Sequence, residues 1–123
     1  MQNETNLPND LHHDFEWLQL RHTLKEKMNL HQLPDLNAVL LLVGIQTLGK
    51  VQANFTKEQK QDLMHIAVCS LLEPDGHFEY LGRDADDWPH FRAIAGVGIQ
   101  GEAAQQQLLI AKCLAYFSVV FEN

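Results

Sequence analysis

One continuous apolar stretch limits what this chain can fold into more than any other feature. From Ala38 to Ile45 every residue is apolar or glycine. The run is too short to cross a bilayer, for which a helix needs about 20 residues, and Pro34 suits the first turn of a helix. A helix that is apolar on every side must be covered on every side. The stretch Pro34–Val51 therefore predicts a central helix in which residues 38–45 are walled in by other helices. Its last turns, which carry Gln46 and Lys50, are expected to meet water on one side.

Caps and breakers in the sequence predict three more helices. Asn9 or Asp10 could cap a first helix ending near Met28, with residues 1–8 as a polar, frayed tail. Two apolar stripes on this helix have three- and four-residue spacing, which suggests that it touches two neighbours. The stripes are Leu11, Phe15, Leu18 and His22, and Trp17, Leu20, Leu24 and Met28. Thr56 and Gln59 form a capping box that opens a third helix, and a last helix runs from Glu102 to about Phe121.

A long connection separates the third helix from the last. Residues 74–100 begin with the helix-stopping Pro74-Asp75-Gly76, exceed the usual loop length and hold much of the aromatic content of the chain. Two short runs, His77–Leu81 and Trp88–Ile94, could pair as a hairpin. We therefore predict an all-α fold class: a compact four-helix, bundle-like domain, residues 1–123, with a long aromatic loop or a two-stranded hairpin between helices three and four.

The charge composition of the chain limits the classes of partner that we expect it to bind. The chain has 123 residues, which fits one domain, and 16 acidic against 9 basic residues, a formal charge of −7. Nucleic acid and anionic membrane surfaces both require a basic face, so we expect neither as a partner. The opening residues lack the basic and apolar regions of a secretory signal, so we expect a cytoplasmic protein. In that compartment Cys69 and Cys113 are expected to be free thiols within the core.

One face of the third helix resembles a set of metal ligands. Asp62, His65 and Cys69 follow Glu58 at spacings of four, three and four, which stacks them along one side of a helix. A thiolate and an imidazole would suit zinc or another divalent metal, and His90 could complete the set from the loop. The alternative, which we favour, is an ordinary solvated polar face. No cofactor is predicted.

The loop adds a second, overlapping candidate, a small-ligand pocket. Its residues would be His77, Tyr80 and Trp88, facing the third helix. The acidic run Asp84, Asp86 and Asp87 does not continue as an EF-hand, because tryptophan and proline follow where ligands and a glycine are needed. An acidic turn that pairs with nearby arginines is the simpler interpretation.

Gly96–Gly101 matches the dinucleotide-binding pattern G-x-G-x-x-G and opens a helix, with Glu122 about 20 residues further on. That site needs a parallel sheet, and the preceding chain reads as helices. A flexible glycine-rich hinge is therefore the favoured interpretation.

The string DLMHIAVC, followed by GHFEYLGRDADDWPHF, resembles a family of small bacterial proteins. That family is marked by a D-L-M-H-I-A-x-C helix, a G-[aromatic]-[aromatic]-E turn and a W-P-H loop, and the similarity covers about Leu33 to Phe117. The resemblance implies no assigned activity and no catalytic residues. It directs attention to His65, Cys69, Trp88 and His90.

Two classes of function follow. The favoured one is a non-catalytic protein that acts through self-association or partner binding. Its central and last helices are apolar over more than one face, so either the long loop covers the surplus or a second copy does by a two-fold contact. Of these two we predict the homodimer. The alternative is a metal- or small-ligand-binding protein, or a metal-dependent enzyme, with its site between the third helix and residues 74–100.

Overall fold

The computed structural model describes residues 2–50, 52, 54–96, 98 and 101–122, with side chains from residue 13 onward. This part of the chain is mostly helical. It contains α1 (Gln2–Lys27), α2 (Leu36–Leu48), α3 (Lys57–Leu72), a 3-10 turn (Glu73–Asp75), strands β1 (Phe78–Arg83) and β2 (Pro89–Ala93), and α4 (Glu102–Val120). The two strands pair as an antiparallel hairpin between α3 and α4. The strict all-α class is therefore wrong, because the residues predicted as a loop or hairpin form a small sheet.

Helix α1 differs from its prediction at its start and in its packing. It begins at Gln2 and not at Asn9 or Asp10, because both residue types are tolerated inside a helix even though they favour caps. One predicted stripe is covered in part: Leu20 and Leu24 are buried and Trp17 packs against them, whereas Met28 is 43% exposed. The other predicted stripe is exposed at each position whose side chain is described, namely Phe15, Leu18 and His22.

Helix α2 occupies the centre of the core as predicted, but it is not covered on every side. Asp35 caps it by accepting a hydrogen bond from the amide of Ala38, so Pro34 lies just before the cap and not in the first turn. Gly49 ends it in the left-handed conformation, with φ of 71°. Val39 and Val43 are fully buried. A second line of residues is only half-buried: Ala38, Leu41, Leu42 and Ile45.

Gly44 sets the distance between α2 and α3. A Cβ built on Gly44 would lie 2.1 Å from the carbonyl oxygen of Leu63, so the two backbones meet with no room for a side chain. Two groups of buried side chains lie on either side of this contact. The larger contains Leu20, Leu24, Val39, Leu40, Val43, Ala67, Leu71, Cys113 and Phe117, and the smaller contains Leu48, Leu63 and Ile66.

Helix α3 begins as its sequence predicts. The Thr56 hydroxyl accepts from the Gln59 amide at 3.1 Å, and the Gln59 side chain accepts from the Thr56 amide at 2.9 Å. This reciprocal capping box satisfies two amides that a helix otherwise leaves without partners. Cys69 on α3 and Cys113 on α4 are free and buried, as expected.

The hairpin contains a bulge and a three-residue turn. Tyr80 pairs with Phe91 and Gly82 with His90, so Leu81 is an extra residue on β1. The Asp87 amide donates to the Asp84 carbonyl at 2.9 Å, and the Asp84 amide to the Trp88 carbonyl at 3.0 Å. This pattern is a type I turn closed by one left-handed residue.

Asp87 occupies that left-handed position, with φ of 68°. Glycine adopts this conformation without a steric cost, whereas aspartate adopts it at a cost because its Cβ crowds the backbone. We expect Asp87→Gly to raise the free energy of unfolding by about 0.5 kcal/mol, measured from urea denaturation midpoints. Asp87→Asn, which removes the same charge and keeps a side chain, should change stability less. A destabilised glycine variant would contradict this account of the turn.

No helix of the described residues is both long and apolar enough to span a membrane.

Candidate functional site

A groove lies between α3 and the hairpin, and we call it the α3–hairpin groove. Its volume is about 480 Å³. It is lined by Gln59, Asp62, His65, Ile66 and Cys69 of α3, and by Asp84, Asp86, Trp88, Pro89, His90 and Phe91 of the hairpin. Both strands of the hairpin pack against α3. The groove therefore lies between α3 and the hairpin, and its two sets of lining residues are at least 15 positions apart in the sequence.

The wall formed by α3 follows from helical spacing. Gln59, Asp62, Ile66 and Cys69 recur at intervals of three and four residues, so they project along one side. Ile66 and Cys69 are buried at the base, and Asp62 and His65 are exposed toward the rim. The His65 ring also meets the Phe78 ring edge-on, with 6.4 Å between centroids.

The wall formed by the hairpin depends on Asp84. Its Oδ1 accepts from the amides of Asp86 at 2.9 Å and Trp88 at 3.0 Å. Its Oδ2 lies 2.8 Å from Nε2 of His90. The hydrogen bond with His90 is the main reason that the pKa of Asp84 is lowered, and the Trp88 amide contributes next. Asp84 therefore stays ionised while it shapes the turn and orients the imidazole.

Two basic side chains attach the tip of the hairpin to the end of α2. Arg83 donates to the carbonyls of Leu48 and Thr47, each at 2.9 Å, and to the carbonyl of Asp87 at 2.8 Å. The Lys50 ammonium donates to the Asp86 carbonyl at 2.8 Å. The last carbonyls of a helix have no partner within it and attract cations. These bonds hold the acidic turn beside α3.

The sequence indicated only part of this arrangement. It predicted an acidic turn paired with nearby arginines, and Arg83 does approach Asp87, although at 3.9 Å. The second arginine, Arg92, pairs with Glu79 across the strands instead. The attachment of Arg83 to the end of α2 was missed, because no local pattern marks a contact across 35 residues.

Cys69 is the only thiol in the lining, and its surroundings keep it protonated. Its Sγ lies 3.5 Å from Nε2 of His65, which confirms that the two residues face each other along α3. Burial raises the pKa of the thiol to about 11. The thiolate is the form that attacks electrophiles, so at neutral pH the Cys69 thiol is not activated as a nucleophile.

The predicted metal ligands line one groove, yet they do not form a ligand set. Asp62, His65, Cys69 and His90 all belong to the lining. Across the described residues, however, no three His, Cys, Asp or Glu side chains lie close enough together to hold a metal ion. Only His65 and Cys69 contact each other among the four, and His90 instead contacts Asp84, which was not among the predicted ligands.

Of the three predicted ligand-pocket residues, one lines the groove and two do not. Trp88 lines the groove. Tyr80 is 46% exposed and packs against the Phe91 ring at 5.5 Å, and His77 lies just before β1, its buried Nδ1 without a hydrogen-bond partner. Neither is part of the lining. The residues that were missed, chiefly Gln59, Ile66, Pro89 and Phe91, could have been found from the helical spacing on α3 and from the strand after Trp88.

The glycine-rich segment lacks the surroundings of a dinucleotide site. Val97, Ile99 and Gln100 lie outside the described residues. Among the residues that are described, the strand before these glycines is β2, which belongs to an antiparallel two-stranded sheet, and the residues after them form α4 as far as Val120. A dinucleotide site requires parallel strands on either side of the helix.

No protein-family model matches the chain, and searches of curated proteins and of solved structures also found no match. The resemblance to the small bacterial family with the W-P-H loop stays a prediction.

Proposed function

We propose that the protein binds a small organic cation, an amine or guanidinium compound, in the α3–hairpin groove, without catalysing a reaction. The observation that carries this proposal is the composition of the lining. It combines three carboxylates, Asp62, Asp84 and Asp86, with the aromatic rings of Trp88 and Phe91. Its volume of about 480 Å³ falls within the range of roughly 300–1,000 Å³ that is usual for small-molecule sites.

The charge of the groove favours a cation. Among the described residues of the lining there is no lysine and no arginine. The Lys50 ammonium lies beside the lining, where it donates to the Asp86 backbone carbonyl. Asp84 stays ionised because its pKa is lowered. Aromatic side chains attract organic cations through their ring faces. The formal charge of −7 would also steer cations toward the protein.

Binding is favoured over catalysis because the groove lacks an activated nucleophile. The Cys69 thiol is buried and has a raised pKa, and the described lining contains no serine or threonine. The Asp84–His90 pair could hold a proton, but no nucleophilic hydroxyl of the lining accompanies it. The apolar residues at the base, Ile66 and Pro89, would instead shield the organic part of a ligand from water.

A matched series of three ligands tests the proposal. Benzylamine, benzyl alcohol and benzoate share one ring and carry charges of plus one, zero and minus one. Isothermal titration and thermal shift should show that the amine binds most tightly and that benzoate binds least. Equal affinity for all three compounds, or tighter binding of benzoate, would contradict the electrostatic basis of the proposal.

Charge-removing variants locate the site. Asp62→Asn and Asp86→Asn should each weaken amine binding by about five- to tenfold, because each removes one partly solvated charge interaction. Glu73→Gln removes one charge beyond the end of α3, outside the lining, and should leave the affinity unchanged. If zinc alone bound in a one-to-one ratio and Asp62→Asn abolished this binding, the groove would be a metal centre and our proposal would be wrong.

A further inference from the structure

We infer that α1 carries a surface by which two copies of this chain associate. The surface, here called the outer stripe, consists of Phe15, Leu18 and His22. It shares no residue with the α3–hairpin groove, so this inference is independent of the proposed function. In the sequence the outer stripe continues toward Leu11. The spacings from Leu11 through Phe15 and Leu18 to His22 are four, three and four residues. This is the spacing by which one helix packs along another.

The outer stripe is the uncovered half of a helix with two apolar sides. Leu20 is 8% exposed and Leu24 is fully buried, whereas Phe15 is 65% and Leu18 43% exposed. Large apolar side chains one helical turn apart form a contiguous patch, and such patches mark interaction surfaces. The fold of one chain buries Leu20 and Leu24 and half-buries Trp17, and it leaves the outer stripe to solvent.

Charge indicates that the occupant is a second copy of the same chain. Asp14 and Arg21 lie seven residues apart along one edge of the outer stripe. In an antiparallel two-fold contact centred between them, each carboxylate approaches the guanidinium of the other copy. The Arg21 bond to the Pro34 carbonyl uses Nε, which leaves its terminal nitrogens for such a contact. Two-fold contacts require a surface that is complementary to itself in this way.

Light scattering on the intact chain over a concentration series tests the inference. We expect a mass of twice 14.0 kDa. The double variant Phe15→Glu with Leu18→Glu should raise the dissociation constant at least about 100-fold, because it places carboxylates against each other across the two-fold axis. Its circular dichroism should match that of the parent, since both side chains are exposed within one chain.

Leu81→Glu is the matched control. Leu81 is 57% exposed on the hairpin, so this change adds the same charge at a different apolar site and should leave the dimer intact. Leu18→Cys should cross-link with a short bismaleimide, because the two copies of this residue would lie close together in the dimer. Leu81→Cys should not cross-link, because it lies outside the contact. The native Cys69 and Cys113 are buried and should not react. A monomeric parent, or a dimer that Leu81→Glu dissociates and the α1 double variant does not, would overturn the inference.

Discussion

Gly44→Ala is expected to lower the free energy of unfolding by about 3 kcal/mol, among the larger costs of overpacking a core. The added methyl group would lie 2.1 Å from the carbonyl oxygen and 2.7 Å from the carbonyl carbon of Leu63. Both atoms belong to the backbone of α3, so no change of rotamer can make room. Helices α2 and α3 would have to separate along the contact that divides the two halves of the core.

The sign of this effect is informative. Alanine favours a helix over glycine by about 1 kcal/mol, so an uncrowded site would be stabilised by the change. Urea denaturation should give a lower midpoint for the variant, and thermal denaturation a lower Tm by about 10 °C. Gly96→Ala is the control, because no atom lies within 4 Å of its Cβ position. If both variants were as stable as the parent, α2 and α3 would not pack this closely.

Arg83→Ala has the second largest expected effect on stability: it should lower the free energy of unfolding by about 2 kcal/mol. The change removes the donors to three backbone carbonyls, two of which belong to Thr47 and Leu48 at the end of α2. Water can replace part of this bonding, because the Arg83 side chain is 32% exposed. The loss is therefore smaller than three separate charged hydrogen bonds would suggest.

Two further variants distinguish the attachment of the hairpin from the loss of a surface charge. Arg83→Lys keeps the charge but cannot reproduce the forked geometry of a guanidinium, so it should recover less than half of the lost stability. Arg92→Ala removes an arginine that is 65% exposed and paired with Glu79, and should cost at most about 1 kcal/mol. Equal losses for Arg83→Ala and Arg92→Ala would contradict the proposed attachment.

The same Arg83 variant should change the hairpin more than the helices. Amide hydrogen exchange in residues 84–91 should become faster, because the turn would lose its contact with α2. The amides of α3 should keep their protection, since the capping box and the core contacts of that helix do not involve Arg83. The groove would then lose its hairpin wall without global unfolding.

Local signals in the sequence predicted the secondary structure well. Thr56 with Gln59 correctly identified the start of α3. The two aromatic runs predicted a hairpin close to the observed one. These signals are readable because each acts over a few residues: a cap bonds to an amide three positions away.

The candidate site was predicted in part for the same reason. Asp62, His65 and Cys69 share a helix face by spacing alone, and they do line one groove. The position of the hairpin relative to these three residues could not be predicted from the sequence. Whether His90 would meet the thiol, a metal or a carboxylate depended on where the turn lies, and the structure pairs it with Asp84.

The sequence by itself determined where the helices and the hairpin form, and it identified the apolar residues that had to be covered. Only the tertiary structure decided which of them are covered: it buries Leu24 and exposes Phe15 on the same helix. It also decided that Gly44 meets the backbone of α3 and that Arg83 reaches the end of α2. The physical reason is the distance along the chain over which each interaction acts. Caps and periodicity act within a few residues, whereas these contacts depend on how whole helices and the hairpin pack together.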